Sequence, residues 1–190
     1  LIKELLPRKR IVRYHEYDKV NQAQLIILCS LNNLTEFERR YTIKLYNEII
    51  GGSANSILFE NVREKHSYCY YVNSSVKAYD NILLINSGVE QENIDKTIKL
   101  VRKTLKSINE GKLKEENIIS AKNTIISGIK SASDEPIGII NTYFSKVLVG
   151  TPNEEERIAN FNKITKEDIV KVSKKVTLHT ILTLESKEDE

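Results

Sequence analysis

The order of strand-like and helix-like segments limits the folds open to this chain more than any other feature of its sequence. Strand-like runs rich in β-branched, apolar and aromatic residues cover residues 11–17, 22–32, 68–76, 82–89 and 177–184. Helical patterns fill most of the sequence between the second and third runs, and between the fourth and fifth. This order predicts an α+β fold in which an antiparallel sheet carries helices on one face.

Apolar spacing predicts where the helices run. The strongest pattern covers residues 91–109, where five aliphatic residues recur at steps of four and three. Shorter patterns predict helices at 53–65 and around 118–129. After a weak stretch, helical spacing resumes with three apolar residues before Gly150: Ile140, Phe144 and Val147.

Capping signals predict where several helices begin. A threonine followed three residues later by an acidic residue can form a capping box, in which each side chain bonds the other residue's backbone amide. The sequence contains three such pairs: Thr35 with Glu38, Thr151 with Glu154, and Thr165 with Asp168. Pro152 would occupy the favoured first position of the second helix, and Gly51-Gly52 predicts the end of the first helix.

Composition indicates one soluble globular domain. The 190 residues are 40% hydrophobic and 29% charged, which suffices for a core. The 29 basic and 26 acidic residues nearly cancel, which argues against nucleic acid as the main partner. The basic cluster of Arg8, Lys9, Arg10 and Arg13 is interpreted as a solvated segment. No apolar run reaches membrane-spanning length, so we expect no membrane span.

Cysteine content and the chain ends bear on compartment and domain organisation. Cys29 and Cys69 form no CxxC pair, which favours two buried thiols in a reducing cytosol over a zinc or disulfide framework. We therefore expect a cytoplasmic location. The chain begins with Leu1 and shows no signal peptide. We interpret residues 1–190 as one domain from the C-terminal part of a larger protein, with a frayed tail at 186–190.

The motifs of a self-sufficient zinc enzyme are absent from the sequence. His15, His66 and His179 are far apart, and neither HExxH nor HxxEH occurs. A single helix can coordinate Zn²⁺ when it carries two histidines on one face. Phosphate-binding glycine loops, dinucleotide fingerprints and nucleophile elbows are also missing. We therefore expect no metal ligand and no cofactor-binding residue in this chain.

One segment, LFENVREKHSYCYYVNS at residues 58–74, still carries candidate chemistry. Arg63 lies near the end of a predicted short helix, and Tyr70 lies early in the next strand. A helix that folds back onto a strand can bring a guanidinium and a phenol to the same side of a cleft. Both groups could donate hydrogen bonds to a peptide carbonyl or to the oxyanion formed when it is attacked. Alternatively, Arg63 pairs with Glu60 or Glu64 on the surface and Tyr70 packs.

The same region resembles a segment of the pitrilysin/insulinase-type zinc peptidases, the inverzincins. That segment follows a pattern close to G-x-x-x-S-x-L-F-x-x-[VL]-R-E-x-x-x-L-x-Y-x-V-x-S. The matching residues are Gly52, Ser56, Leu58, Phe59, Val62, Arg63, Glu64, Tyr70, Val72 and Ser74. Tyr68 stands where Leu is usual, and His66-Ser67 stands where a Gly is frequent. Residues 149–176 resemble the closing helices of the family, so the similarity covers most of the chain.

The resemblance implies a function that needs a second protein part. Members of this family consist of paired homologous halves, one of which carries HxxEH and a downstream Glu that hold zinc and provide the general base. The other half supplies an Arg and a Tyr across a closed chamber. By this resemblance the chain is the zinc-free, C-terminal-type half, inactive alone, with a peptide as substrate and an HxxEH-bearing half or subunit as partner. Arg63 and Tyr70 would then bond the substrate backbone and stabilise the tetrahedral intermediate, while zinc comes from the partner.

Two other functions remain open. The chain could be a catalytically inactive family member whose helix layers act as an assembly scaffold. That hypothesis predicts that neither the full-length protein nor a neighbouring gene encodes HxxEH. The chain could also be a standalone peptide-binding module, in which an exposed strand edge adds an extended peptide.

Overall fold

A computed structural model describes residues 10–187, and its centre is one five-stranded sheet in the order β1-β5-β2-β4-β3. The strands are β1 Val12–Asp18, β2 Ala23–Leu31, β3 Cys69–Lys77, β4 Ile82–Val89 and β5 Val176–Ser186. Neighbouring strands are antiparallel, except that β1 runs parallel to β5 at one edge. This mostly antiparallel sheet confirms the predicted α+β class.

Helices occupy the connections that the sequence patterns indicated. The first helix, α1, covers residues 36–52: residues 36 and 37 are α-helical, and π-helical Glu38–Thr42, α-helical Ile43–Asn47 and π-helical Glu48–Gly52 follow. The next is α2, the short π-helical segment Phe59–Glu64. The others are α3 Ile94–Asn109, preceded by the 3₁₀ turn Gln91–Asn93, α4 Glu115–Ala132, α5 Pro136–Val149, α6 Glu154–Lys163 and α7 Lys166–Ser173.

A single apolar core forms between the helices and one face of the sheet. On β2, Leu25, Ile27 and Cys29 are almost completely buried, whereas the residues between them are only half-buried. Successive side chains of a strand point to opposite faces, so this alternation shows that the helices cover one face more fully than the other. Each fully buried aliphatic side chain contributes about 1.5–3 kcal/mol. The core therefore holds in place the sheet, which includes β3, and the helices that pack on it.

Two of the three predicted capping boxes are confirmed. The backbone N–H of Thr35 donates to Glu38 Oε2 at 2.7 Å, and the N–H of Glu38 donates to Thr35 Oγ1 at 3.2 Å. The N–H of Thr165 donates to Asp168 Oδ2 at 3.0 Å, and that of Asp168 donates to Thr165 Oγ1 at 3.3 Å. Each threonine thus satisfies backbone donors that a helix start leaves open.

The predicted capping box at Thr151 is wrong. The helix α6 begins at Glu154, and Asn153 caps it by accepting a hydrogen bond from the N–H of Glu156 at 2.9 Å. Asparagine is among the strongest N-cap residues. The acidic run that follows Asn153 also suits the positive end of a helix starting there. Pro152 therefore precedes the helix and is not its first residue.

Some predicted segments differ in extent or fall outside the described residues. The predicted helix at 53–65 is shorter, because residues 53–56 form a turn before α2. Residues 8 and 9 of the basic cluster and residues 188–190 of the predicted tail lie outside the described range, whereas Ser186 ends β5. Arg13 of that cluster pairs with Asp95 at 3.2 Å on the surface. Within residues 10–187, no helix is both long and apolar enough to cross a bilayer.

Candidate functional site

The connection from α2 to β3 positions Arg63 by anchoring the helix that carries it. Leu58 and Val62 are fully buried and hold α2 against the core, which leaves Arg63 on the exposed side. The helix closes with hydrogen bonds from the N–H of Ser67 to the Arg63 carbonyl and from the N–H of Tyr68 to the Val62 carbonyl. Arg63 is thus held one tight turn away from the start of β3.

Ser67 adopts the left-handed backbone conformation within this turn. Its φ angle is 51°, in the region that glycine enters without a steric penalty. This is the place where the family pattern often has glycine. The departure at His66-Ser67 therefore leaves the turn intact and places a strained serine in it.

A β-bulge at Tyr70 changes the direction of its side chain. In the pairing of β3 with β4, Cys69 is opposite Val89 and Tyr71 is opposite Gly88, so Tyr70 is the extra residue. A bulge interrupts strand alternation and redirects side chains, often near functional sites. Cys69 is buried, whereas Tyr70 and Tyr71 are both exposed, with 58% of Tyr70 accessible to solvent. The alternative in which Tyr70 packs against the sheet is therefore wrong.

The Arg63 guanidinium forms no ion pair with Glu60 or Glu64, the pairing that the alternative interpretation required. It lies over the Phe59 ring, 4.8 Å from the ring centroid, in a cation–π contact along α2. Glu60 instead pairs with Lys65 at 2.7 Å, and that hydrogen bond lowers the pKa of Glu60. Among the described residues, no carboxylate lies within salt-bridge distance of Arg63. The Arg63 guanidinium is therefore available to donate hydrogen bonds to an anionic or carbonyl ligand.

Glu90 is the immediate partner of Tyr70 and was not among the predicted site residues. The Tyr70 phenol donates a hydrogen bond to Glu90 Oε1, and this bond raises the pKa of Tyr70. In this antiparallel hairpin, Tyr70 and Glu90 lie on opposite sides of the Cys69–Val89 pair, and their long side chains meet across it. Strand pairing alone would not have identified this contact, and the bulge could not be read from the sequence.

Arg63 and Tyr70 lie near the same end of β3 without contacting each other. The Arg63 charge is close enough to Cys69 to oppose the increase in thiol pKa that burial causes there. Within the described chain, no hydrogen bond or ring contact joins Arg63 to Tyr70. Both donors face solvent, so a ligand bridging them would approach from outside the domain.

The three histidines are dispersed through the structure. His15 contacts Glu185 and Thr183 at the β1–β5 edge, and His66 Nδ1 lies 2.6 Å from the Asn61 carbonyl oxygen. His179 is buried beside Thr180. In the part of the chain covered by the structure, no three His, Cys, Asp or Glu residues are arranged to hold a metal ion.

The cysteines are free and buried, as expected from the sequence. Burial raises the pKa of Cys29 to about 12. Burial also raises the pKa of Cys69, partly offset by a hydrogen bond with Ser87 and by the Arg63 charge. Both thiols are therefore protonated near neutral pH and are unsuited to act as nucleophiles.

A cleft of about 730 Å³ lies toward the other end of β3, between α1, α4, α5 and α6. Arg40, Lys44 and Arg157 line it, and neither Arg63 nor Tyr70 does. Burial lowers the pKa of Lys44, and the nearby Arg157 and Arg40 charges lower it further. The expected cleft shared by Arg63 and Tyr70 is therefore not this one.

Comparison with known proteins identifies relatives of most of the chain. Residues 3–125 match the family model described as the peptidase M16 inactive domain. The chain is 28% identical over 147 residues to the "Probable inactive metalloprotease YmfF" of Bacillus subtilis, which is 77% of this chain and 34% of that protein. It is also 28% identical to an "Uncharacterized zinc protease" of Rickettsia felis, over 83% of this chain and 39% of that protein. The chain thus spans little more than a third of these curated relatives.

Solved structures share the fold. A conserved protein from Enterococcus faecalis V583 matches with a TM-score of 0.91 and 25% identity, covering 100% of this chain and 45% of that one. A peptidase M16 inactive domain from Pseudomonas fluorescens matches with a TM-score of 0.76 and 17% identity, covering 95% of this chain and 44% of that one. The second similarity concerns the fold alone.

Proposed function

The chain belongs to the inactive-domain family of M16 peptidases, and on that premise we propose that it is the zinc-free half of a metallopeptidase. In this proposal it forms part of a peptide-binding chamber and is inactive alone. Its partner is a homologous half or subunit that carries HxxEH, and its ligand is a peptide. The observation that carries the proposal is the bulge that leaves Tyr70 exposed near the end of β3 at which the unpaired guanidinium of Arg63 also lies.

The two side chains would act as hydrogen-bond donors to the substrate backbone. Arg63 keeps a fixed positive charge and several N–H groups, and the Tyr70 phenol supplies one O–H. Attack on a peptide carbonyl concentrates negative charge on its oxygen, so donors aimed at that oxygen stabilise the transition state more than the ground state. Tyr70 must release Glu90 to donate to a substrate, which makes Glu90 a positioning residue in this proposal.

Zinc belongs to the partner in this scheme. The residues of this chain do not fit a zinc site, because no three potential ligands converge within residues 10–187. Bound zinc would supply a water activated for attack on the peptide bond. The role of this chain is confined to binding the substrate, orienting it and donating hydrogen bonds to it.

Reconstitution with the HxxEH-bearing half tests the proposal. We expect Arg63→Ala and Tyr70→Phe each to lower kcat/KM by tenfold or more, since loss of one oxyanion donor typically costs about 10²–10³ in rate. The loss should fall mainly on kcat, as expected for an interaction made in the transition state. Values within about threefold of wild type, or roughly 0.7 kcal/mol, would exclude a catalytic role for both residues.

Neighbouring side chains provide matched controls. Tyr71 is also exposed, and its hydroxyl donates to Gln24 at 2.5 Å, away from Glu90. Tyr71→Phe should leave kcat/KM unchanged, because the bulge directs Tyr70 and not Tyr71 towards Glu90. Equal losses in Tyr70→Phe and Tyr71→Phe would indicate a general effect on the strand and not a specific donor.

An assembly scaffold is the second candidate function. It is favoured by the relative named as a probable inactive metalloprotease and by the Tyr70 phenol being occupied by Glu90. A scaffold predicts that Arg63→Ala and Tyr70→Phe leave the activity of every partner complex unchanged. It also predicts that neither the parent gene nor its neighbours encode HxxEH.

A further inference from the structure

The helix α5 exposes an unusual amount of apolar surface. Between 41% and 73% of each of eight large apolar residues in this helix is accessible to solvent. They are Ile137, Ile139, Ile140, Tyr143, Phe144, Val147, Leu148 and Val149. No residue of α5 is buried, and Lys146 is its one acidic or basic residue. A helix with so much apolar surface is normally covered by other parts of a protein.

The polar and apolar sides of α5 are placed in the reverse of the arrangement found in an ordinary surface helix, whose apolar side faces its own domain. Its polar residues Asn141, Thr142 and Ser145 recur at helical spacing, and all three line the cleft between α5 and the rest of the domain. Val149, at the end of the helix, also lines this cleft, whereas the other seven large apolar residues do not. Rotating the helix would bury its apolar residues against Arg40 and Lys44, which also line that cleft. The polar side of α5 is therefore matched to this domain, and its apolar side is left for another surface.

The attachments of α5 keep that apolar side exposed. The helix packs chiefly against α4. At its C-terminal end, Arg40 Nη1 donates to the Gly150 carbonyl at 3.0 Å and Nη2 donates to the Val149 carbonyl at 2.7 Å. Gly150 has a φ of 61° and closes the helix in the left-handed conformation. These contacts hold the helix at its end without covering its outer face.

We propose that the outer face of α5 is a docking surface for a further domain of the same parent polypeptide. The relatives supply the reason for this occupant. This chain covers 34% of the Bacillus subtilis relative and 45% of the Enterococcus faecalis structure, so each contains enough additional sequence for another domain of this size. The inference rests on the proposed function only in requiring that the chain be part of a larger protein.

Other occupants fit the helix less well. Helices that lie on membranes usually carry many Lys and Arg residues on a solvent-facing side, whereas α5 has one lysine and turns its polar residues towards the cleft. A second copy of the chain could bind the outer face of α5 only if no other domain of the parent polypeptide already covered that face. The additional sequence in the relatives favours an intramolecular partner, because linked domains meet at a high effective concentration.

Hydroxyl-radical footprinting of the intact parent polypeptide tests this docking surface. The modification rates of Tyr143 and Phe144 are compared with those in the 190-residue chain alone. We expect the rates in the parent to fall by about fivefold or more, because interface cores are packed like protein interiors. Val147→Asp in the parent should restore labelling of Tyr143, whereas Lys146→Asp, next to it on the same helix, should not.

Each alternative outcome overturns the proposal. Equal labelling in the parent and in the chain alone would show that α5 stays uncovered. Protection that is already present in the dilute chain alone would show that α5 closes onto its own domain. Protection that requires high protein concentration would identify a second copy as the occupant. The labelling does not depend on zinc or cleavage, so failure of the Arg63 and Tyr70 experiments would leave this result unaffected.

Discussion

Tyr70 donates its phenolic hydrogen to the carboxylate of Glu90, the residue that directly follows β4. The hydrogen bond and the negative charge both raise the pKa of Tyr70, because ionisation would remove the donor and place two anions side by side. We predict that Glu90→Gln lowers the pKa of Tyr70 towards its ordinary value. An NMR titration that follows the Tyr70 ring carbon bonded to oxygen measures this change directly.

Glu92→Gln is the matched control for that titration. Glu92 lies on the 3₁₀ turn two residues after Glu90 and is exposed, but Tyr70 bonds Glu90 instead. Its substitution removes one negative charge from the same turn without removing the hydrogen bond. If Glu90→Gln and Glu92→Gln shift the Tyr70 pKa equally, the specific contact with Glu90 is not the cause.

We predict that Ser67→Gly stabilises the domain. A left-handed backbone costs a non-glycine residue about 1–2 kcal/mol, and glycine costs roughly 0.5–1 kcal/mol in additional unfolded-state entropy. The expected net gain in the free energy of unfolding is therefore about 0.5–1 kcal/mol. Urea denaturation of wild type and variant measures it.

Ser53→Gly provides the comparison for this substitution. Ser53 ends α1 with a φ of −142°, an extended conformation that serine adopts without strain. Glycine there should be neutral or destabilising, because only the entropic cost remains. Equal effects at positions 53 and 67 would show that backbone strain at Ser67 does not limit stability.

Features of this fold that depend on neighbours in sequence could be predicted, and their physical cause is local. The capping boxes at Thr35 and Thr165 need only residues three apart, and the hairpin of β3 and β4 needs one short turn. The periodicity of 91–109 likewise reports a helix with one buried face. Each signal is complete within a few residues, so no knowledge of the rest of the chain is required.

Features that depend on distant contacts could not be predicted. The parallel pairing of β1 with β5 joins the two ends of the described chain, and the strand patterns do not specify a partner. The bulge at Tyr70 depends on how β3 aligns with β4. The tyrosine-rich sequence at the start of β3 contains no signal that distinguishes a bulged strand from a regular one. In α5, the apolar spacing indicated a helix but not that none of its residues would be buried in this domain.

We predict that Thr165→Ala destabilises the domain by about 1 kcal/mol, within the usual range of roughly 0.5–2 kcal/mol for loss of an N-cap. Thr165 caps α7, whose buried residues Ile169 and Val172 belong to the core. Fraying of this helix start would therefore weaken core packing. Thermal or urea unfolding measures the loss.

Thr151→Ala tests the corrected start of α6 in the same assay. Because Asn153 caps that helix, removing the Thr151 hydroxyl should change the free energy of unfolding by less than about 0.5 kcal/mol. Asn153→Ala should instead cost about as much as Thr165→Ala. A large effect of Thr151→Ala with none at Asn153 would restore the original prediction for this helix.

Stability should depend on pH through Glu38. Its side chain is 8% exposed and accepts hydrogen bonds from Lys175 Nζ at 2.6 Å and from the Thr35 N–H at 2.7 Å. Burial alone would raise the pKa of Glu38, but the hydrogen bonds from Lys175 and Thr35 outweigh it, so the pKa is lowered. The folded state therefore favours the ionised carboxylate. This stabilisation is complete above the ordinary pKa of 4.5 and is lost as pH falls through the lower pKa of the folded state.

We predict that Glu38→Gln costs about 1.5–3 kcal/mol at neutral pH, the usual value of hydrogen bonds to a charged group. The substitution keeps the shape of the side chain and an oxygen that can accept from the Thr35 N–H. What it removes is mainly the negative charge that faces Lys175. Urea unfolding of both proteins at neutral pH and again near pH 3 should show the difference shrinking in acid, because pH 3 lies below the ordinary pKa at which the Glu38 carboxyl protonates in the unfolded state. Glu36→Gln removes the exposed carboxylate paired with Arg40 and should change stability by less than about 1 kcal/mol at either pH. A Glu38→Gln cost that is equal at both pH values would show that the charge of Glu38 does not stabilise the fold.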